Sequence, residues 1–138
     1  MGLIYYITQV QFDFGAIRLV PAECERSGIR RPLICTDKEV VAAGLLDRLL
    51  GSLGDLPVAV FAGPPARSTA TAVMAAVDAY RGHGADGLIA LGGGSAIDLA
   101  KGVAIMATHP GVLADYATIL GGSPKITASV APLIAIPT

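Results

Sequence analysis

Three consecutive glycines at positions 92 to 94 follow an apolar, strand-like stretch. Of all the patterns in this chain, this one points most clearly to a ligand-binding site. Glycine lets a backbone approach a bulky group and adopt dihedral angles that other residues avoid. The residues after them predict a helix, whose first N–H groups lack intrahelical acceptors and carry the positive end of its dipole. Gly92, Gly93, Gly94 and Ser95 therefore predict an anion site, most naturally one for phosphate.

A tight strand-to-helix turn with Ser95 as its N-cap is the simpler interpretation of these residues. One glycine would suffice for such a turn, and three increase the entropy lost on folding, so the pattern favours phosphate binding. Ile97 replaces the third glycine of the Rossmann fingerprint, and no Gly-Lys-Ser/Thr follows at the spacing of a P-loop. ATP hydrolysis is therefore disfavoured.

Three charged residues accompany the glycines. Asp98 lies at capping-box spacing from Ser95, so a helix-stabilising role and a ligand contact both stay open for it. Lys101 follows three residues later on the same helix face, where it can pair with Asp98. Asp37 comes directly after an apolar stretch, where an acid either binds an adenosine ribose or caps the next helix. The residues alone do not decide between these two roles for Asp37.

The elements that must position these residues alternate along the chain. Strands are predicted at residues 3–14 (an exposed or edge strand), 32–36, 57–61, 87–91 and 132–136. Helices are predicted at residues 16–26, 38–50, 68–81 and 95–108, with a short one at 112–117 and a loop or weak hairpin at 121–130. This order predicts an α/β fold, with a doubly wound, mostly parallel sheet and helices on both faces. Ligands of such sheets bind beyond the carboxyl ends of the strands.

The composition predicts one core-rich domain over residues 1–138, since 53% of the residues are hydrophobic and 15% are charged. A net charge of −1 without a basic stripe disfavours nucleic acid as a partner. No signal peptide or membrane-spanning stretch is recognisable, so we expect no membrane association. Cys24 and Cys35 are expected to be free, buried thiols, which suggests a cytoplasmic location. His83 and His109, the two histidines, are expected to be solvated loop residues.

Residues 92–101 resemble the signature Gly-Gly-Gly-Ser-x-x-Asp-x-x-Lys of the iron-containing (group III) metal-dependent alcohol dehydrogenases. Phe14-Gly15 and residues 33–38, 83–91 and 132–138 are similar to further segments of that family. Glycerol dehydrogenases and maleylacetate reductases share the fold, but the former usually lack the serine and the latter the aspartate. The pattern fits the alcohol dehydrogenase branch best, with those relatives as an alternative.

The resemblance implies an NAD(P)-binding domain of the dehydroquinate synthase-like type. Gly93, Gly94 and Ser95 would hold the pyrophosphate, and Asp37 would contact the adenosine ribose and favour NAD over NADP. Asp98 would lie near the nicotinamide, and Thr138 would border the cofactor. The full set of cofactor-binding residues expected from the resemblance is Asp37, Gly92, Gly93, Gly94, Ser95, Asp98, Lys101 and Thr138.

The family's catalytic metal, iron or zinc, is held by one aspartate and three histidines in a helical C-terminal domain that has no counterpart here. We therefore expect a nucleotide-binding domain truncated at its C-terminal end, with no metal ligand, no catalytic residue and no hydride transfer of its own. The expected partners of the complete enzyme are NAD or NADP, a small alcohol or aldehyde, and a second copy paired through residues 3–12. A non-catalytic nucleotide-binding module is the alternative from another functional class.

Overall fold

The structure, a computed structural model, describes residues 8–63 and 69–138 of the chain. The strands are β1 (Pro32–Asp37), β2 (Ala59–Gly63), β3 (Gly87–Gly92) and β4 (Leu133–Pro137). The helices are α1 (Val20–Ser27), α2 (Lys38–Ala42), α3 (Leu45–Leu53), α4 (Ala70–His83) and α5 (Gly94–Met106). Short 3₁₀ turns occupy Ala16–Leu19, Leu113–Tyr116, Thr118–Leu120 and Ser123–Lys125. No helix of these described ranges combines the length and apolar character needed to cross a membrane.

The four strands form a parallel sheet in the order β2-β1-β3-β4. Asp37 pairs with Gly63 and Gly92 pairs with Pro137, so all four strands end at one edge, which we call the carboxyl edge. The chain leaves β1 towards β2 on one side and leaves β3 towards β4 on the other. The gap between β1 and β3 is therefore the topological switch point, where open α/β sheets bind ligands. The predicted fold class is confirmed.

The sheet is buried on both faces because its side chains alternate between two apolar clusters. Leu33 and Cys35 of β1 point into one cluster, while Ile34 between them points into the other. The first cluster contains residues of α4 and α5, and the second contains residues of α1, α2 and α3. Near-continuous apolar strands are what a sheet covered on both faces requires.

At the opposite edge of the sheet, where the strands begin, the Asp86 carboxylate binds backbone amides of another segment. Oδ1 and Oδ2 of Asp86 accept hydrogen bonds from the backbone N–H of Arg30 at 3.1 and 3.0 Å, and Oδ1 also accepts from that of Arg31 at 2.8 Å. The Arg31 guanidinium in turn donates to the backbone carbonyl of His83 at 3.0 Å. These bonds fasten the residues before β1 to those before β3 and so help to set the register of the central pair.

The predicted strand at residues 3–14 is wrong where it can be judged. Residues 3–7 lie outside the described residues, and residues 8–14 form bends and a turn without a strand. Phe12 and Phe14 are 99% and 98% exposed. Alternating apolar residues predict a strand only if a neighbouring strand accepts their backbone bonds, and no described strand pairs with this segment.

The predicted helix at residues 38–50 is two helices. Gly44 adopts a left-handed conformation with φ 79° between α2 and α3, which ends one helix and lets the other begin in a new direction. The strand predicted at 57–61 starts two residues later, and the helix predicted at 68–81 runs from Ala70 because Thr69 caps it. The short helix predicted at 112–117 is a 3₁₀ turn, and residues 121–130 form a loop with one further 3₁₀ turn.

The two histidines differ in burial and in hydrogen bonding. His83 is half-buried at the end of α4, with its Nε2 atom 3.3 Å from the carbonyl oxygen of Pro57. His109 is buried, with 9% of its surface exposed, and its ring has several hydrogen-bond partners. The expectation of a solvated loop residue is therefore wrong for His109, because the following loop folds back over its ring.

Both cysteines are free and buried, as expected. Burial raises the pKa of the Cys35 thiol to about 12. Burial, with help from the Asp86 and Glu23 carboxylates, also raises the pKa of Cys24. The thiolate is the reactive form of cysteine, so both thiols should be inert in the folded chain.

We predict that Cys35 in a Cys24→Ala variant reacts with a chromogenic thiol reagent at least about a hundredfold more slowly in native buffer than in urea. The free energy of unfolding should also fall as the pH rises above the ordinary thiol pKa of 9.0, because the unfolded thiol ionises there and the buried one stays protonated. Rapid labelling of the folded chain near pH 8 would contradict this assignment.

Candidate functional site at the carboxyl edge of the sheet

The ends of β1 and β3 meet at the switch point. Gly92, the last residue of β3, has φ 150°, a conformation that side-chain-bearing residues rarely adopt. A Cβ atom added there would lie 2.9 Å from the Cβ of Ala96 and 3.3 Å from Oδ2 of Asp37. The chain can therefore turn from β3 into α5, with the Asp37 carboxylate beside the turn, only if residue 92 is glycine.

The backbone conformation and packing do not require glycine at the next two positions, 93 and 94. Among residues 8–63 and 69–138, a Cβ atom added to Gly93 or Gly94 would meet no atom of another part of the chain within 4 Å, and neither residue has a positive φ. Both are exposed at the edge of the sheet. The fold thus explains Gly92, while Gly93 and Gly94 leave open space above the helix start. A group outside the described chain can approach the backbone closely there.

The start of α5 corrects one prediction. Gly93 is the N-cap, with no side-chain capping bond, and Ile97 donates its N–H to the carbonyl of Gly93 at 3.2 Å. Ser95 is therefore the second residue of the helix, and Asp98 lies too far along it to complete a capping box. Glycine replaces serine as the cap because the turn at Gly92 brings the chain into helical geometry two residues earlier than a Ser95 cap would.

Asp37 performs the capping role that the sequence left open. Its Oδ1 atom accepts a hydrogen bond from the backbone N–H of Val40 at 2.8 Å and so caps α2. The other oxygen, Oδ2, lies on the side of the Gly92 turn. One carboxylate oxygen is thus used by the fold, while its partner is directed toward the switch point. A helix cap and a ligand contact are compatible at this residue.

Thr138 joins the site from the other side of β3. Its backbone N–H donates to the carbonyl of Gly92 at 3.1 Å, which continues the pairing of Gly92 with Pro137. The glycine turn is therefore held between β1 and β4. The structure brings Asp37, Gly92 and Thr138 together, with the start of α5 beside them.

Asp98 and Lys101 lie further along α5 and are both exposed. They form no ion pair with each other, and the two ion pairs within the described ranges involve Asp13 with Arg18 and Glu23 with Arg26. The suggested Asp98–Lys101 pair is therefore not formed. Within the part of the chain that the structure describes, neither side chain forms a hydrogen bond or an ion pair.

A residue that the sequence did not single out lies directly before Asp37. Thr36 is 1% exposed, and its hydroxyl has no hydrogen-bond partner among the described residues. Buried hydroxyls are normally bonded, so this one is an exception. A polar residue at the end of an otherwise apolar strand was the only available signal.

No group of three or more His, Cys, Asp or Glu residues lies close enough to hold a metal ion within residues 8–63 and 69–138. The described part of the chain therefore does not fit the iron or zinc that the resemblance implies for the complete enzyme. The nucleotide is different, because a helix N-terminus, two glycines that no other described residue crowds and a neighbouring carboxylate fit a dinucleotide.

Comparison with known proteins adds a family to this geometry. The family model described as iron-containing alcohol dehydrogenase matches residues 8–138. A curated relative, the 4-hydroxybutyrate dehydrogenase of Cupriavidus necator, is 56% identical over all 138 residues, which cover 36% of that protein. The chain spans about a third of the length of the curated relatives it matches.

Solved structures agree with this match. The sulfoacetaldehyde reductase of Bifidobacterium kashiwanohense, solved in complex with NAD⁺, is similar with a TM-score of 0.79 and 27% identity, over 99% of this chain and 36% of that one. The NADH-dependent butanol dehydrogenase A of Thermotoga maritima gives a TM-score of 0.85 over 100% of this chain and 34% of that one. At 23% identity, the second likeness shows the fold alone.

We predict that Gly92→Ala and Gly94→Ala affect stability in opposite ways. Alanine at position 92 would be strained at φ 150° and would crowd Ala96, so the free energy of unfolding should fall by about 1–3 kcal/mol. Alanine at position 94 meets open space in a helix, so stability should stay the same or rise by up to about 1 kcal/mol. Urea unfolding of the two variants measures the difference, and equal effects would refute it.

Proposed function

Because this chain belongs to the iron-containing alcohol dehydrogenase family, we propose that it binds NAD at the switch point between β1 and β3. The observation that carries the proposal is the space that the described residues leave at Gly93 and Gly94, directly at the start of α5. The fold does not require glycine at these two positions, whereas a pyrophosphate approaching the backbone does.

Each residue has a separate role in this proposal. The first amides of α5, at Gly94, Ser95 and Ala96, have no acceptor within the helix and would donate to the pyrophosphate oxygens. Oδ2 of Asp37 would accept from an adenosine ribose hydroxyl while Oδ1 continues to cap α2. The carboxylate would repel the 2′-phosphate of NADP and so favour NAD. Asp98 and Lys101 would contact the cofactor further along α5, and Thr138 would border it.

The chemistry proposed for the whole protein is reversible hydride transfer between the nicotinamide and a small alcohol or aldehyde. The 4-hydroxybutyrate dehydrogenase and the sulfoacetaldehyde reductase compared above are named for a hydroxy acid and an aldehyde, which supports this substrate class. The metal that would polarise the alcohol oxygen is assigned to the part of the protein outside this chain, since the described residues have no group to hold it. We assign only the nucleotide site to this chain, within a single domain over residues 1–138.

Pairing with a second copy is part of the proposal. Val10, Phe12 and Phe14 are 68%, 99% and 98% exposed and lie together near the start of the described chain. Large apolar side chains left uncovered in this way are typical of an interface. The two free cysteines fit a reducing compartment such as the cytoplasm.

We predict that Gly94→Asp abolishes NAD binding by this chain in isothermal titration calorimetry. The new carboxylate would stand where the phosphate binds, while an acid in the first turn of α5 leaves the helix stable. Gly51→Asp is the matched control, because Gly51 is an exposed helical glycine with no atom within 4 Å of an added Cβ. Unchanged affinity in Gly94→Asp would show that the loop is not the phosphate site.

We predict that Asp37→Asn raises the affinity for NADP relative to NAD by at least about tenfold, because it removes the charge that repels the 2′-phosphate. Asparagine still caps a helix, so α2 should keep its start. Glu39→Gln removes an acid from the same helical turn and is the control for a change in net charge. A cofactor preference that stays the same in both variants would leave Asp37 as a helix cap only.

A further inference from the structure

His109 lies just after the end of α5, and its ring binds Thr127, which lies 18 residues further along the following loop. Nε2 of His109 accepts a hydrogen bond from the backbone N–H of Thr127 at 2.9 Å and lies 3.1 Å from Oγ1 of the same threonine. On the other side, Nδ1 lies 3.0 Å from the carbonyl oxygen of Ile105. A backbone N–H can only donate, so Nε2 must be the unprotonated nitrogen and Nδ1 must carry the proton. The bonded ring is therefore neutral.

The connection matters because few other bonds hold this loop. Residues 109–131 contain only 3₁₀ turns, and they lead from α5 to β4. Beyond the histidine, the backbone N–H of Ala131 donates to the carbonyl of Ala104 at 3.2 Å. Tyr116 packs edge-on against the histidine ring, with 5.4 Å between the ring centres, and donates its hydroxyl to the carbonyl of Pro110. The approach to β4 is thus fastened at two places, Thr127 and Ala131.

We propose that His109 is a proton-controlled latch, which holds the loop of residues 117–131 against α5 when the ring is neutral and releases it when the ring is protonated. Adding a proton to Nε2 converts this atom from an acceptor into a donor. The protonated Nε2 and the backbone N–H of Thr127 would then be two donors pointing at each other. The hydrogen bond then breaks, and the loop moves away or the ring turns. Imidazole is the side chain whose ordinary charge change falls between about pH 5 and 8, and this range sets the two pH values of the test below.

No counter-charge compensates the added proton. The ring's partners within the described residues are backbone groups, hydroxyls and the Tyr116 ring, without a carboxylate. Thr108 donates its hydroxyl to the carbonyl of Ala104 at 2.7 Å, so its hydrogen is already used.

The charged groups on neighbouring elements do not supply a negative charge for a protonated His109 ring either. Asp115 is occupied by the backbone N–H of Val112 at 3.0 Å. The Arg81 guanidinium of α4 reaches the carbonyl of Met106 and adds positive charge at the same end of α5. Lys125 is an exposed cation on the loop itself. A buried imidazolium among these groups is unfavourable, which couples protonation to opening of the loop.

Amide hydrogen exchange tests the latch, because it reports the Thr127 bond directly and needs no nucleotide. Protection factors corrected for the intrinsic pH dependence of exchange should fall roughly tenfold at Thr127 between about pH 7.5 and 5.5. Ala131 should lose protection with it. The amide of Ile29, which donates to the carbonyl of Cys24 at the end of α1, is the internal reference and should not change.

Two variants distinguish the contributions of the two histidines to the pH response of Thr127. His83→Gln removes the other imidazole of the chain and should leave the pH response of Thr127 intact. His109→Gln can still accept from Thr127 but does not titrate, so protection should be equal at both pH values. Ring ¹⁵N shifts of the His83→Gln chain should show an Nδ1–H tautomer at the higher pH, because Nε2 accepts from Thr127. A ring that carries its proton on Nε2 at that pH, or a pH response that persists in His109→Gln, would overturn the proposal.

Discussion

The conformation of Gly92 is the constraint on which the carboxyl edge depends. With φ 150° and no side chain, this residue lets β3 end and α5 begin within one residue, while Asp37 of the neighbouring strand stays against the turn. Any Cβ there would collide with Ala96 in the first turn of α5. The direction of α5, the point at which it starts and the position of the carboxylate all follow from this one turn.

The opposite edge of the sheet is organised by side chains that bind backbone groups. Asp86 accepts from two consecutive amides before β1, and His109 accepts from one amide of the loop before β4. Each holds irregular chain whose polar groups would otherwise lack partners. Order at the site therefore relies on contacts at the far edge, because those contacts fix where the central strands and β4 enter the sheet.

Several features were predictable from sequence because they rest on local patterns. Continuous apolar runs such as residues 32–36 and 87–91 indicated strands buried on both faces, and the alternation with helices indicated a doubly wound sheet. The resemblance at residues 92–101 led to the family that the comparison confirms. The break at Gly44 was missed because a glycine within an otherwise helical pattern does not reveal whether its φ is positive. The strand at residues 8–14 was mispredicted because pairing depends on a partner strand.

By itself, the sequence determined the fold class, the alternation of strands and helices, and the location of a glycine-rich turn at the end of a strand, since all three follow from residue types at short spacing. Only the tertiary structure decided that Gly92 serves the fold while Gly93 and Gly94 leave open space. It also decided that one oxygen of Asp37 caps a helix, and that His109 is buried. These outcomes depend on contacts between residues far apart in the chain, such as Asp37 with Gly92 and His109 with Thr127, and no local pattern encodes such contacts.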